Sequence, residues 1–155
     1  MSNPALKVGD SVPDFTIASS SGKDFKLSEH KGKKIVLYFY PKDNTPGCTI
    51  EGHEFTALKN QFTEKNTEVY GISRDSIKSH CGFIEKQGYK IELLSDEDEN
   101  LCRIFDVIKE KNMYGKKVMG VERSTFVIDE QGRLLKEFRK VSAEGHAESV
   151  LNSIS

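Results

Sequence analysis

Hydrophobic positions in this chain fall into short blocks separated by turn residues. "KKIVLYFYP", residues 33–41, is an unbroken apolar and aromatic run closed by Pro41. A run without polar alternation predicts a strand buried on both faces. "TEVYGIS" (67–73) predicts a second buried strand and "IELLSD" (91–96) a short third. Between the first two, Phe55, Leu58 and Phe62 recur at helical spacing, which predicts an amphipathic helix over residues 49–62. "RDSIKSHCGFIEKQG" (74–88) places Ile77, Cys81 and Ile84 on one helical stripe, with Gly88 as the stop. "ENLCRIFDVI" (99–108) predicts a short helix and "SAEGHAESVLNSI" (142–154) a terminal one.

Two stretches predict hairpins. "DFTIASSSGKDFKLSEHKG" (14–32) alternates around a Ser-Gly turn, and "RSTFVIDEQGRLLKEFRK" (123–140) joins two apolar runs through Glu-Gln-Gly. The order is an N-terminal β-hairpin, then β, α, β, α, a short β, α, β, β, α. Strand–helix alternation implies parallel pairing with helices on both faces. The expected class is α/β: a mixed central sheet flanked by helices, the thioredoxin-like arrangement.

Composition narrows the function. At 155 residues the expectation is one domain over residues 1–155. Charge is nearly balanced, 23 basic against 24 acidic residues, which gives no electrostatic case for nucleic acid or an anionic membrane. "IVLYFY" and "STFVID" fall far short of the roughly 20 apolar residues that span a bilayer. "MSNPALKVGD" lacks the blocks of a signal peptide, so a cytoplasmic protein is expected. The three cysteines form no disulfide framework and no CxxC pair, so no metal site is expected.

Cys48 carries the candidate chemistry. It follows a Pro-Gly step, in the spacing P-x-x-x-T-x-x-C with Pro41 and Thr45. Pro41 forces the chain out of the sheet. Gly47 lets the backbone approach a small ligand closely. A cysteine in the first turn of a helix meets free amides and the positive end of the dipole, which favour an anion. The thiolate is the nucleophile, so Cys48 is expected to react. Thr45, three residues earlier, can reach the sulfur or an oxygen bound to it. Arg123, at the head of the strand "RSTFVID", could stabilise the thiolate and an electrophile's oxygens. Taken singly, each has a plainer reading: a packing cysteine, a turn threonine, a surface arginine.

Together, "YPKDNTPGCTIEGHEF" and "GVERSTFVID" resemble the peroxiredoxins, in particular the bacterioferritin-comigratory or Q-type group. "VGDSVPDFTI", "GISRDSIKSH" and the terminal helix extend the likeness over nearly the whole chain. The resemblance implies a thioredoxin fold and thiol-dependent reduction of peroxides. It makes Cys48 the peroxidatic cysteine, which becomes a sulfenic acid. It makes Thr45 the ligand of the peroxide oxygens, Arg123 the partner of thiolate and developing charge, and Pro41 the shield against water. It implies no metal or organic cofactor. Glu51, a common acidic position in the motif, would orient hydrogen bonds or simply favour the helix start.

The sequence also departs from that group. Many Q-type members carry the resolving cysteine five residues after the peroxidatic one, where this chain has His53. Cys81 is then the candidate resolving cysteine: some relatives place theirs one turn later, at the position of Ile84. The alternative is a core residue beside Ile77 and Ile84. Cys102, among Leu101, Ile104 and Phe105, reads as packing. His53 reads as a solvated helix residue. The expected activity is a monomeric peroxidase acting on hydrogen peroxide and organic hydroperoxides, recycled by thioredoxin or a similar thiol reductant. A one-cysteine route using an external thiol and a non-enzymatic redox sensor remain as alternatives.

Overall fold

Ile17 and Ser19 turn inward and Thr16 and Ala18 outward in strand β1 (Thr16–Ser19). β1 pairs antiparallel with β2 (Phe25–Lys26), the N-terminal hairpin that the alternation predicts. The computed structural model describes residues 6–154. Next come β3 (Lys34–Phe39), α1 (Pro46–Glu64), β4 (Thr67–Ser73), α2 (Ile77–Gln87), β5 (Glu92–Ser95) and α3 (Asn100–Ile104). The chain continues through β6 (Ile108–Met113), β7 (Lys116–Val121), β8 (Ser124–Ile128), β9 (Leu134–Phe138) and α4 (His146–Ser153).

Among the described residues the main sheet has seven strands in the order β2-β1-β5-β4-β3-β8-β9. β3, β4 and β5 are parallel, while β8 lies antiparallel to β3, and β9 to β8. This is the expected mixed sheet. β3 alternates between two buried faces. Ile35, Leu37 and Phe39 join the core that holds Phe105 and Phe126. Val36, Tyr38 and Tyr40 join the core that holds Phe55, Phe62, Phe83 and Val150. Burying a side chain such as Leu37 or Phe39 stabilises the fold by about 1.5–3 kcal/mol, which explains the absence of polar residues from this run. α1, α2 and α4 cover the second core, and α3 belongs to the first.

Three boundaries differ from the sequence reading. α1 begins at Pro46, not residue 49, because a proline without an N–H suits the first helical position. α3 is a single short turn, ended near Asp106, whose φ is +53°. β6 and β7 form a hairpin of their own that the sequence reading does not include. Its turn has Tyr114 at φ +54° and Gly115 at φ +80°, both left-handed, the geometry that closes a two-residue hairpin. No helix among the described residues is long and apolar enough to cross a membrane.

Candidate active site

β3 delivers the chain to the site. Tyr40 N–H still bonds Ile72 O (3.0 Å), and at Pro41 the chain leaves the sheet. It turns through Asn44, at φ +63°, and enters α1 at Pro46. Cys48 is therefore the third residue of a 19-residue helix, inside the turn whose amides lack helical partners. Its side chain is buried, 2% exposed.

Arg123 enters from the other side, on the step between β7 and β8. Its Nη2 donates to Cys48 Sγ (3.4 Å), and its Nη1 donates to Glu51 Oε1 (2.6 Å). The plainer reading of Arg123 as a surface ion pair is thus overturned: the guanidinium is largely buried and bridges sulfur and carboxylate. Burial opposes its charge, but Glu51 and Cys48 outweigh that and hold its pKa above the ordinary value.

Glu51 is fully buried, one helical turn from Cys48, and its Oε2 has no hydrogen-bond partner among the described residues. Burial pushes its carboxyl up to about 7, with Arg123 pulling the other way. Its plainer reading, a carboxylate favoured by the first helical turn, does not describe this anchor. Nearby His146 is driven down to about 4 by burial and by the Arg123 charge, and its Nε2 shares a hydrogen bond with the Thr125 hydroxyl (2.7 Å).

Gly47 has a use the sequence reading does not foresee. A Cβ there would lie 2.9 Å from Arg123 Nη2, so the missing side chain admits the guanidinium rather than a ligand. Gly47→Ala should therefore lower the rate of peroxide reaction by about tenfold, since an ångström of misplacement can cost about 10²-fold and a Cβ at 2.9 Å would push the guanidinium by part of that. Melting temperature should hold or rise, because alanine favours a helix by about 0.5–1 kcal/mol over glycine. Stopped-flow and thermal denaturation on one preparation check both halves.

Thr45 does not donate to the sulfur. Its hydroxyl donates to Lys42 O (2.8 Å), which leaves the Oγ1 lone pairs free to accept. Thr45 precedes α1 in extended conformation, and Pro41, four residues earlier, is partly buried.

A thiol in the first turn of the helix after a parallel strand, faced by an arginine from the head of the neighbouring strand, invites comparison with known proteins. Residues 8–136 match the AhpC/TSA family. The chain belongs to that family. It is 48% identical over 154 residues to peroxiredoxin Bcp of Xanthomonas campestris pv. campestris, covering 99% of this chain and 96% of that one. A PrxQ structure from Xylella fastidiosa, a cysteine-to-serine mutant, superposes with a TM-score of 0.92 at 46% identity, covering 97% and 96% of the two chains. The bacterioferritin comigratory protein of Xanthomonas campestris, studied for alkyl peroxide reduction with trapped intermediate and ligand complexes, superposes at 0.88 with 48% identity, covering 97% and 96%. At these identities the chain is a peroxiredoxin of the Bcp, or Q-type, group.

The other cysteines separate cleanly. Cys102 is fully buried, and burial together with Asp96 pushes its thiol far up, which keeps it neutral and fits the packing role. Cys81 is exposed, so its alternative reading as a core residue is wrong. α2 buries His80 and Phe83 instead, leaving Ile77 and Ile84 only partly covered. Cys81 Sγ lies 3.6 Å from Ser20 O, and both it and Cys48 are free thiols. His53 Nε2 pairs with Gln87 Oε1 (2.8 Å), tying α1 to the end of α2. Tyr89 completes that tie: its hydroxyl donates to Thr49 O (2.8 Å), and its ring occupies the space a Cβ on Gly52 would fill. No cluster of three or more metal-capable side chains occurs among the described residues.

Proposed function

We propose that the chain reduces peroxides at Cys48, with Arg123, Thr45 and Pro41 completing the site and Cys81 resolving the product. The observation that carries this is the Arg123 guanidinium 3.4 Å from Cys48 Sγ, itself fixed by buried Glu51. A charge-assisted donor held there stabilises the thiolate before reaction and the departing oxygen during it. The thiolate attacks the terminal oxygen of ROOH. The S–O bond forms, the O–O bond breaks, the hydroperoxide hydrogen stays on the sulfenic oxygen, and RO⁻ takes a proton from solvent to leave as alcohol or water. Cys48 becomes a sulfenic acid. Thr45 Oγ1, its own proton committed to Lys42 O, accepts from the hydroperoxide O–H. The chain's own residues supply every role, so no cofactor or metal is assigned.

The Cys81 thiol then attacks the sulfenic sulfur, an S–S bond forms and water leaves. Cys81 is supported by its exposure, which also lets a dithiol protein such as thioredoxin reach the disulfide. We assign a monomer, since one chain supplies all these residues, working in the cytoplasm, where sparse free thiols persist. Organic hydroperoxides join hydrogen peroxide as substrates because the Xanthomonas campestris relative is studied for alkyl peroxide reduction.

One equivalent of peroxide followed by mass spectrometry tests the resolving step. The expected product is an intramolecular Cys48–Cys81 disulfide. A persistent Cys48 sulfenic acid beside a free Cys81 would assign the one-cysteine route. Substoichiometric peroxide consumption under excess thioredoxin would reassign the chain as a sensor.

A further inference from the structure

One buried polar cluster lies outside the Cys48–Arg123–Glu51 constellation, on the loop that leads into α1. Asp43, in the loop between Pro41 and Thr45, is 4% exposed, and His80 on α2 is fully buried. His80 Nδ1 sits 2.8 Å from Asp43 Oδ2, and its Nε2 sits 2.9 Å from Leu94 O on β5. A backbone carbonyl only accepts, so Nε2 carries a proton. Burial alone would raise the Asp43 carboxyl, but hydrogen bonds from His80, Tyr40 and Ser79 outweigh it and keep it ionised. His80 thus bridges the Asp43 carboxylate and the Leu94 carbonyl.

The pair is fully satisfied. Tyr40 O–H donates to Asp43 Oδ1 (2.6 Å) and Ser79 O–H to Oδ2 (2.7 Å). Asp43 N–H donates to Asp75 Oδ2 (2.9 Å), which also accepts from the Ser73 hydroxyl (2.6 Å). Four pieces of chain meet there: the loop bearing Pro41 and Thr45, the end of β4, the first turns of α2, and β5.

This cluster has a consequence for Cys81, the next residue after His80. Cys48 Sγ faces Arg123 and Cys81 Sγ faces Ser20 O, so the two sulfurs address different neighbours. A disulfide needs Cα atoms within about 7 Å and converging Cβ vectors. Cys48 is buried while Cys81 is exposed, so on the proposed resolving route α2, the start of α1, or both would open to bring them together. Opening α2 at Cys81 withdraws His80 from Asp43.

We infer that the Asp43–His80 pair is a latch that holds α2 on the active-site loop, and that its release sets the rate at which Cys81 resolves the sulfenic acid. His80 and Asp43 are positioning residues here, not catalytic ones. The inference rests on Cys81 as the resolving cysteine. While the latch is shut, Cys48 stays aligned with Arg123 and open to a second peroxide. When it opens, Cys81 attacks, the S–O bond breaks, the S–S bond forms and water departs.

The test uses full-length His80→Gln and Ser79→Ala. Glutamine keeps one of the two histidine contacts, and Ser79→Ala removes one donor to Asp43 without stranding a charge. Hydrogen exchange is read on the reduced protein, and disulfide formation by quenched mass spectrometry after peroxide. In His80→Gln, amides of residues 77–87 should exchange about tenfold faster or more, with the rest of the sheet unchanged. Disulfide formation should accelerate by the same factor, and the fraction of Cys48 driven to sulfinic acid by excess peroxide should fall. Ser79→Ala should shift the same readouts in the same direction by less, and it decides the matter if His80→Gln fails to fold. Ile128→Val, a control that loosens the opposite core, should lower melting temperature without accelerating the disulfide. A folded variant whose disulfide rate is unchanged or slower overturns the latch. A wild-type chain that makes no Cys48–Cys81 disulfide overturns instead the assignment of Cys81, and the two failures are read from different samples.

Discussion

Cys48→Ser should abolish peroxide turnover, with a loss of at least about 10³-fold in steady-state consumption under thioredoxin recycling. A serine hydroxyl in the same helical turn meets the same amides and the same guanidinium, but at neutral pH it does not give up its proton to become the nucleophile. The fold should survive. Serine is no larger than cysteine, and Arg123 Nη2, 3.4 Å from the sulfur, is a donor that an oxygen can accept. Far-UV dichroism and melting temperature close to wild type would show that chemistry alone was lost. Retention of most of the activity in the folded variant would remove Cys48 from the mechanism.

Arg123→Met should slow the reaction of Cys48 with peroxide by about 10²–10³-fold, the usual cost of removing one preorganised donor from a developing charge. Stopped-flow measurement of the oxidation step isolates this from resolution and recycling. The variant also tests how the site tolerates Glu51. With Arg123 gone, the influence that lowers the Glu51 carboxyl is gone too, and burial and the Glu54 charge both raise it. The carboxyl is then pushed further towards its protonated form, which avoids a bare charge in the core, so the variant should fold. Arg123→Lys keeps the charge but not the fork that reaches Glu51 and Cys48 at once. It should recover only part of the rate, about tenfold above the methionine variant. Wild-type oxidation kinetics in Arg123→Met would contradict the role given to the guanidinium.

Much of this arrangement is legible in the sequence because it depends on local signals. "IVLYFY" reads as doubly buried and is; Gly88 reads as a stop and takes φ +70° to end α2. The P-x-x-x-T-x-x-C spacing locates the thiol. The features that are not legible depend on distant partners. Nothing near Gly47 indicates that its missing Cβ serves an arginine 76 residues later. The α2 stripe reads as Ile77, Cys81 and Ile84 because histidine does not count as a core residue. His80 faces inward only because Asp43, 37 residues upstream, is there to receive it. The β6–β7 hairpin is invisible for another reason: Glu110, Lys116, Lys117 and Val118 are all exposed, so neither strand shows the alternation that a buried face imposes.

The position of β8 has a consequence for how the molecule is made. β8 fills the place beside β3 near the centre of the sheet, and Arg123 stands immediately before it. A nascent chain on the ribosome therefore presents its reactive sulfur long before the guanidinium that completes the site has been translated. On the reading proposed here, only a polypeptide extended past Arg123 engages oxidant efficiently, so shorter chains are spared oxidation at Cys48.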